Sequence, residues 1–410
     1  MKKKIILTTT LIIISSLIIL LTYKKENNVT FSNEIKNSNN ILSIMLETSS
    51  GSGDYQESSS NSFPTNGYIF NENLSNCENG SKISWNEENK SVLVKSNKAD
   101  KCYLYFDVYE PTLAEAIINL YTGTQGENNI YYHDSNLTNG ANDNSYRYAG
   151  SNPNNYVCFG SDEATCPENN LYRIIGVFNN QIKLIKYDYA NSNLLGTNGD
   201  YKSGSTASSS YYIGKNSSTN VYYWNYQSDT SINQSHGSNT WSTSLLNKIN
   251  LNTNYLNNIG SKWANMIDTV IWKVGGNTQA NLANVNVINA YKNEIINPAS
   301  TITYEAKIGL MYISDYGFSA DPSCWTTTLS SFYNNTTNST NKVWMFMGYS
   351  EYTLTPLTTG SDGVMGIANT GAVSSYTASV DNAIRPVFYL NTNVKMLSGD
   401  GTKTNPYRVG

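Results

Sequence analysis

The chain has 410 residues, of which only 14% are charged, with a net charge of −4, a pI near 5.4 and 32 tyrosines. Soluble domains usually carry about 25% charge and disordered chains carry few aromatics, so this composition excludes a disordered protein. Without a basic stripe it also excludes nucleic acid as a partner.

Lys2, Lys3 and Lys4 precede an uncharged apolar stretch, Ile5 to Thr22, and Lys24 and Lys25 follow it. As a helix this stretch is about 27 Å long, close to a bilayer's hydrocarbon thickness. A cleavable signal has a shorter apolar core and a small-x-small site, and "LLTYKKENN" offers none. Residues 1–25 are therefore expected to form a signal-anchor with its N-terminus inside, a cleaved signal being the alternative. The membrane is then a partner through that helix, and the bulk of the chain lies outside the cell, at the cell surface, or secreted if the signal is cut.

Residues 26–62, ending in "ETSSGSGDYQESSSNS", read as a polar stalk, although "ILSIML" has strand character. Over 63–110, "GYIFNE", "KISWNE", "SVLVKS" and "KCYLYFD" alternate with Asn, Gly and Asp turn signals, which predicts a small β-sandwich-like module. Such a module has little core. A Cys77–Cys102 bridge would add about 3 kcal/mol by constraining the unfolded chain. Cys158 and Cys166 form the second natural local pair in an oxidising compartment, and Cys324 is left unpaired.

"PTLAEAIINLYTG" predicts a linker helix within 111–124, starting at Pro111 and Thr112, with Leu113, Ala116, Ile117 and Leu120 on one face. Residues 125–410 read as one large domain. "NLYRIIGVFNNQIKLIKYDY" is its best hairpin, turning at Asn179–Asn180. "TWSTSLLNKINLNTNYLNNIGSKWANMI" has helical period, and "VIWKVGGN", "YEAKIGLMYISDYGF", "KVWMFMG" and "EYTLTPLT" read as strands.

"SYRYAGSNPNNYVCFGSDEATCPENNLYRIIGVF", "KIGLMYISDYGF", "SCWTTTLSSFYN" and "IRPVFYLN…GDGTKTNPY" occur in this order. Together they resemble an uncharacterised domain family of exported proteins from low-GC Gram-positive bacteria. The resemblance implies an α+β chain whose large domain is C-type-lectin-like, a fold shared with sulfatase-modifying factors, with long binding loops. In that fold the first and last strands pair, so "PVFYLN" should lie beside the "LYRIIGVF" hairpin. The calcium-lectin tripeptides Glu-Pro-Asn and Trp-Asn-Asp are missing; "YWNYQ" keeps Trp224 and Asn225 without the Asp. The cysteine pair of formylglycine-generating enzymes is missing too, so neither activity transfers.

"DSNLTNGANDNS" fails the EF-hand template, with Asn139 where Gly is required and Ser145 where Glu is. No metal or cofactor is expected. His133 and His236 stand alone, and nothing local would hold Cys324 as a thiolate. What remains is a set of aromatics in polar loops: Tyr146, Tyr148, Tyr156, Tyr222, Tyr223 and Trp224 are the candidate ligand contacts. The expected function is non-catalytic binding of an extracellular glycan or protein. The alternatives are an extracellular enzyme acting on cell-wall material or protein thiols, and a structural envelope protein.

Overall fold

A computed structural model describes residues 27–31, 41–60, 62–64, 67–96, 99–206, 219–226, 237–277, 285–336 and 342–410. The predicted anchor, Ile5 to Thr22, lies outside these. Among the described residues no helix is long and apolar enough to cross a membrane. The chain is mostly β-sheet, 35% strand against 20% helix, and this overturns the expected α+β class with its C-type-lectin-like domain. It divides into two compact units, residues 1–110 and 111–410.

The smaller unit holds two sheets around one apolar cluster. In Lys101–Val108 every second residue turns inward, so Cys102, Leu104 and Phe106 are buried while their neighbours are less so. This strand pairs parallel with Ile41–Glu47 and antiparallel with Tyr68–Cys77. Val92 and Val94 from the other sheet, Asn27–Phe31, Ser91–Ser96 and Lys82–Asn86, share the same core. The stalk expected over 26–62 is therefore corrected. "ILSIMLE" supplies one partner of the central strand, and Asn27–Phe31 pairs along Ser91–Ser96. The Ser- and Gly-rich composition hid three short strands: Asn27–Phe31 and Ile41–Glu47 have distant partners, and Tyr55–Glu57 pairs back onto Ile41–Glu47. Cys77 and Cys102 face each other in register and are bonded.

In the larger unit a nine-stranded sheet is the organiser. Its centre is the predicted hairpin, Leu171–Phe178 with Gln181–Lys186, and both turn residues, Asn179 (φ 50°) and Asn180 (φ 62°), are left-handed as a tight hairpin requires. Val387–Tyr389 pairs with the hairpin's second arm, Leu184 opposite Phe388. Tyr407–Val409 runs parallel to Tyr156–Cys158, which borders the first arm. The C-terminal strands are thus built into the sheet. The predicted helix Leu113–Asn119 opens with a capping box, Glu115 N–H donating to Thr112 Oγ1 (3.2 Å) and Thr112 N–H to Glu115 Oε2 (2.8 Å). Its Leu113, Ala114 and Ile117 belong to the large unit's core.

Helical content is low because the helices are broken. The run over 240–267 becomes short pieces, the longest Leu246–Tyr255, and Gly260 at φ 84° separates Leu256–Ile259 from Ser261–Asn265. "YEAKIGLMYISDYGF" is not one strand: Thr303–Ala306 and Ile308–Gly309 lead into the helix Ile313–Phe318, where Asp315 accepts from Tyr312 N–H. In "KVWMFMG" Val343, Trp344, Met345, Phe346 and Met347 are buried, but the segment is irregular apart from a bridge between Val343 and Ala320.

Candidate functional site

Four of the six aromatics read as ligand contacts are core residues. Tyr148, Tyr222 and Trp224 sit in the main cluster and Tyr156 in a smaller one. Two of their polar tips are used internally: Trp224 Nε1–H donates to Thr353 O at 3.0 Å and Tyr222 O–H to Gly196 O at 2.9 Å. Tyr156 lies 4.3 Å from the Arg173 guanidinium. A ring enclosed in this way has no face left for a ligand, so these four are corrected to packing roles. Loops this rich in Asn and Ser have few other apolar groups to bury, and Tyr and Trp fill the space. Tyr146 and Tyr223 stay half-exposed: Tyr146 stacks on Tyr132 at 4.5 Å beside Tyr121, and Tyr223 lies 4.6 Å from Tyr226.

His236 falls outside the described residues. His133 is fully buried, between Phe318 and Trp325 at 4.9 and 5.3 Å, and its Nδ1 accepts from Ala141 N–H at 3.0 Å. Burial, then the nearby Arg147 charge, pushes its pKa well below the usual value, and Asp143 opposes this only in part. The fold therefore holds it neutral while the unfolded chain protonates near pH 6.5. Stability from this group is full above that pH and declines as pH falls, by about 1.4 kcal/mol per unit. His133→Gln should flatten the stability–pH curve by one proton between pH 6.5 and 5 in urea melts. The difference between the two chains isolates this proton from Glu294 and Glu351, whose carboxyls burial pushes up and which act in the opposite sense.

The "DSNLTNGANDNS" loop is closed on itself. Burial opposes ionisation of Asp143, but Arg147 (2.5 Å), Ser145 and Tyr291 outweigh it and hold the carboxyl down at about 2. Among the described residues no three His, Cys, Asp or Glu side chains are grouped to hold a metal. Cys324 is a free, buried thiol, and burial pushes its pKa up, so it is not a poised nucleophile.

The candidate site lies elsewhere in the larger unit, in an open cleft of about 230 Å³ where the hairpin's second arm ends. Five asparagines line it, Asn169, Asn170, Asn191, Asn193 and Asn258, with Lys186, Asp188, Tyr189 and Leu194. Lys186 ends the hairpin's second arm and Asp188 follows in the bend beyond it. The loop after Cys166, tethered by the Cys158–Cys166 bond, brings Asn169 and Asn170, and Asn191 caps Ser192–Leu195 by accepting from Leu194 N–H at 3.2 Å. Asn258 donates to Asn193 O (3.1 Å) and Leu194 O (2.9 Å), which leaves its side-chain oxygen as an acceptor.

Lys186 is 4% exposed and donates to Asn169 O at 3.1 Å. Burial lowers its pKa to about 8, against the pull of Asp188. The cleft therefore combines amide donors and acceptors with one weakly held cation. It is smaller than the roughly 300–1,000 Å³ of clefts that take drug-sized ligands. Sequence reasoning missed it because Asn is common throughout the chain. The usable signal was charge, a Lys and an Asp inside "KLIKYDY". Comparison with family models, with curated proteins and with solved structures finds no match to this chain.

Proposed function

We propose that this protein works outside the cell as a binding protein for a small polyhydroxylated ligand, a sugar unit of a glycan, held in the asparagine-lined cleft. The observation that carries this reading is the cleft's lining, five amides around Lys186 and Asp188. An amide offers a donor pair and an acceptor on one plane, which suits neighbouring hydroxyls that both give and accept hydrogen bonds. Two disulfides at bonding distance support an oxidising location, as does the sequence resemblance to exported proteins.

A glycan array probed with the full chain tests the reading. Binding should fall about tenfold for Asn169→Ala and for Asn193→Ala, each removing one hydrogen-bonding side chain worth about 1.4 kcal/mol, at unchanged melting temperature. An array with no bound glycan, or binding indifferent to both substitutions, would sink it. A second reading, an extracellular enzyme, is favoured by one observation, the buried Lys186 amine with its pKa pushed down to about 8 beside the cleft. Turnover of a bound glycan, lost in Lys186→Arg, would replace equilibrium binding as the activity.

A further inference from the structure

Each of the two disulfides has one buried cysteine, Cys102 or Cys158, and one half-exposed, Cys77 or Cys166, but the buried sulfurs have different neighbours. In the smaller unit Cys102 is wholly buried in an apolar cluster with Leu104 and Phe106. A thiolate released there would be desolvated, which makes that sulfur a poor leaving group. Cys158 in the larger unit is placed differently. Its Sγ receives the Arg408 guanidinium, Nη1 at 3.2 Å, and it borders a cavity of about 300 Å³ lined also by Ser161, Trp263 and Arg408. Its partner Cys166 is half-exposed.

Arg408 is held in place from two directions. Parallel pairing of Tyr156–Cys158 with Tyr407–Val409 sets it opposite Cys158. Its Nη2 donates to Ala164 O at 2.9 Å and its Nη1 to Ser161 O at 3.4 Å. Asp162 and Glu163 also line the cavity, but Asp162 is paired with Lys262 at 2.6 Å. Among the described residues no carboxylate bonds to Arg408, so its charge is left to the sulfur.

We propose that Cys158–Cys166 is an exchange site for small extracellular thiols, in which Cys166 is attacked and Cys158 leaves as a thiolate against Arg408. An incoming thiolate forms a bond to Cys166 Sγ; the Cys158–Cys166 bond breaks, and its electron pair passes to Cys158 Sγ. The product is a mixed disulfide on Cys166. A second thiolate attacks that mixed disulfide at the small thiol's sulfur, releasing the Cys166 thiolate and the small disulfide. Two external thiols are oxidised and one protein disulfide is reduced by two electrons. The guanidinium acts where negative charge develops, at the departing sulfur.

The test uses the full chain under native conditions, titrated with glutathione near neutral pH, quenched by alkylation and read by mass spectrometry. Cys158 and Cys166 should become labelled while Cys77–Cys102 stays closed. Arg408→Gln should slow the opening about tenfold, from a leaving thiol about two pKa units higher at a Brønsted slope of about 0.5, and Arg408→Lys should keep most of the rate. A variant that merely loosened the loop would open faster, so the direction separates the electrostatic role from a structural one. Simultaneous opening of both bonds, Cys77–Cys102 opening first, or an Arg408→Gln rate at or above the original would each overturn the proposal.

Discussion

A chain ending at Asn382 should show no cooperative melting of its larger unit and should lose that unit's near-ultraviolet circular dichroism. The deletion removes Val387–Tyr389, which lies inside the nine-stranded sheet between Gln181–Lys186 and Ile308–Gly309. It also removes Tyr407–Val409, the neighbour of Tyr156–Cys158. Ile384, Val387, Phe388, Leu390, Val394, Tyr407 and Val409 are all at most 5% exposed. Each fully buried side chain of this kind contributes about 1.5–3 kcal/mol, and whole domains are stable by only about 5–15 kcal/mol. The smaller unit keeps its own core and its Cys77–Cys102 bond, so its transition should persist. An unchanged transition for residues 111–382 would show that the C-terminal strands are ornaments of the sheet and not parts of it.

The same strands show what was legible in the sequence. "PVFYLN" announced a strand by its β-branched and aromatic residues, and the Asn179–Asn180 turn fixed the hairpin that receives it. Local chemistry sufficed where a signal was dense: the helix start at Pro111 and Thr112, the hairpin turn and the two cysteine pairs. It failed where partners are far apart. Ile41–Glu47 was read inside a stalk, despite its strand character, because the central strand it pairs with, Lys101–Val108, comes more than fifty residues later. The aromatics were misplaced for a related reason: Tyr222 and Trp224 sit among polar neighbours in sequence but among apolar ones in space. The cleft assembles residues from 169 to 258 whose types are too common to stand out. Buried charge was the overlooked signal. Lys183, which pairs with Asp315 at 2.6 Å, and Lys186 interrupt an apolar strand and mark both a structural ion pair and the cleft.

Arg385→Met should destabilise the larger unit by about 3–5 kcal/mol, since it strands a buried carboxylate. Arg385 grips Glu351 with both prongs, Nε to Oε2 at 2.7 Å and Nη2 to Oε1 at 2.6 Å, and the two side chains are 2% and 1% exposed. Nη2 also donates to Met345 O at 2.7 Å, which ties "KVWMFMG" to the pair. The cost comes from the partner left behind, not from the net worth of the pair, so the double variant Arg385→Met/Glu351→Leu should recover at least half of it. Burial pushes the Glu351 carboxyl up and the guanidinium opposes this. Without the guanidinium the carboxyl should protonate in the folded state at a pH where the unfolded chain has already lost its proton. A raised carboxyl contributes stability that grows as pH falls, so the deficit of Arg385→Met should shrink between pH 7 and 5. Urea melts of the three chains at both pH values measure this. A deficit below about 1 kcal/mol that is the same at both would mean that water or another group already neutralises Glu351.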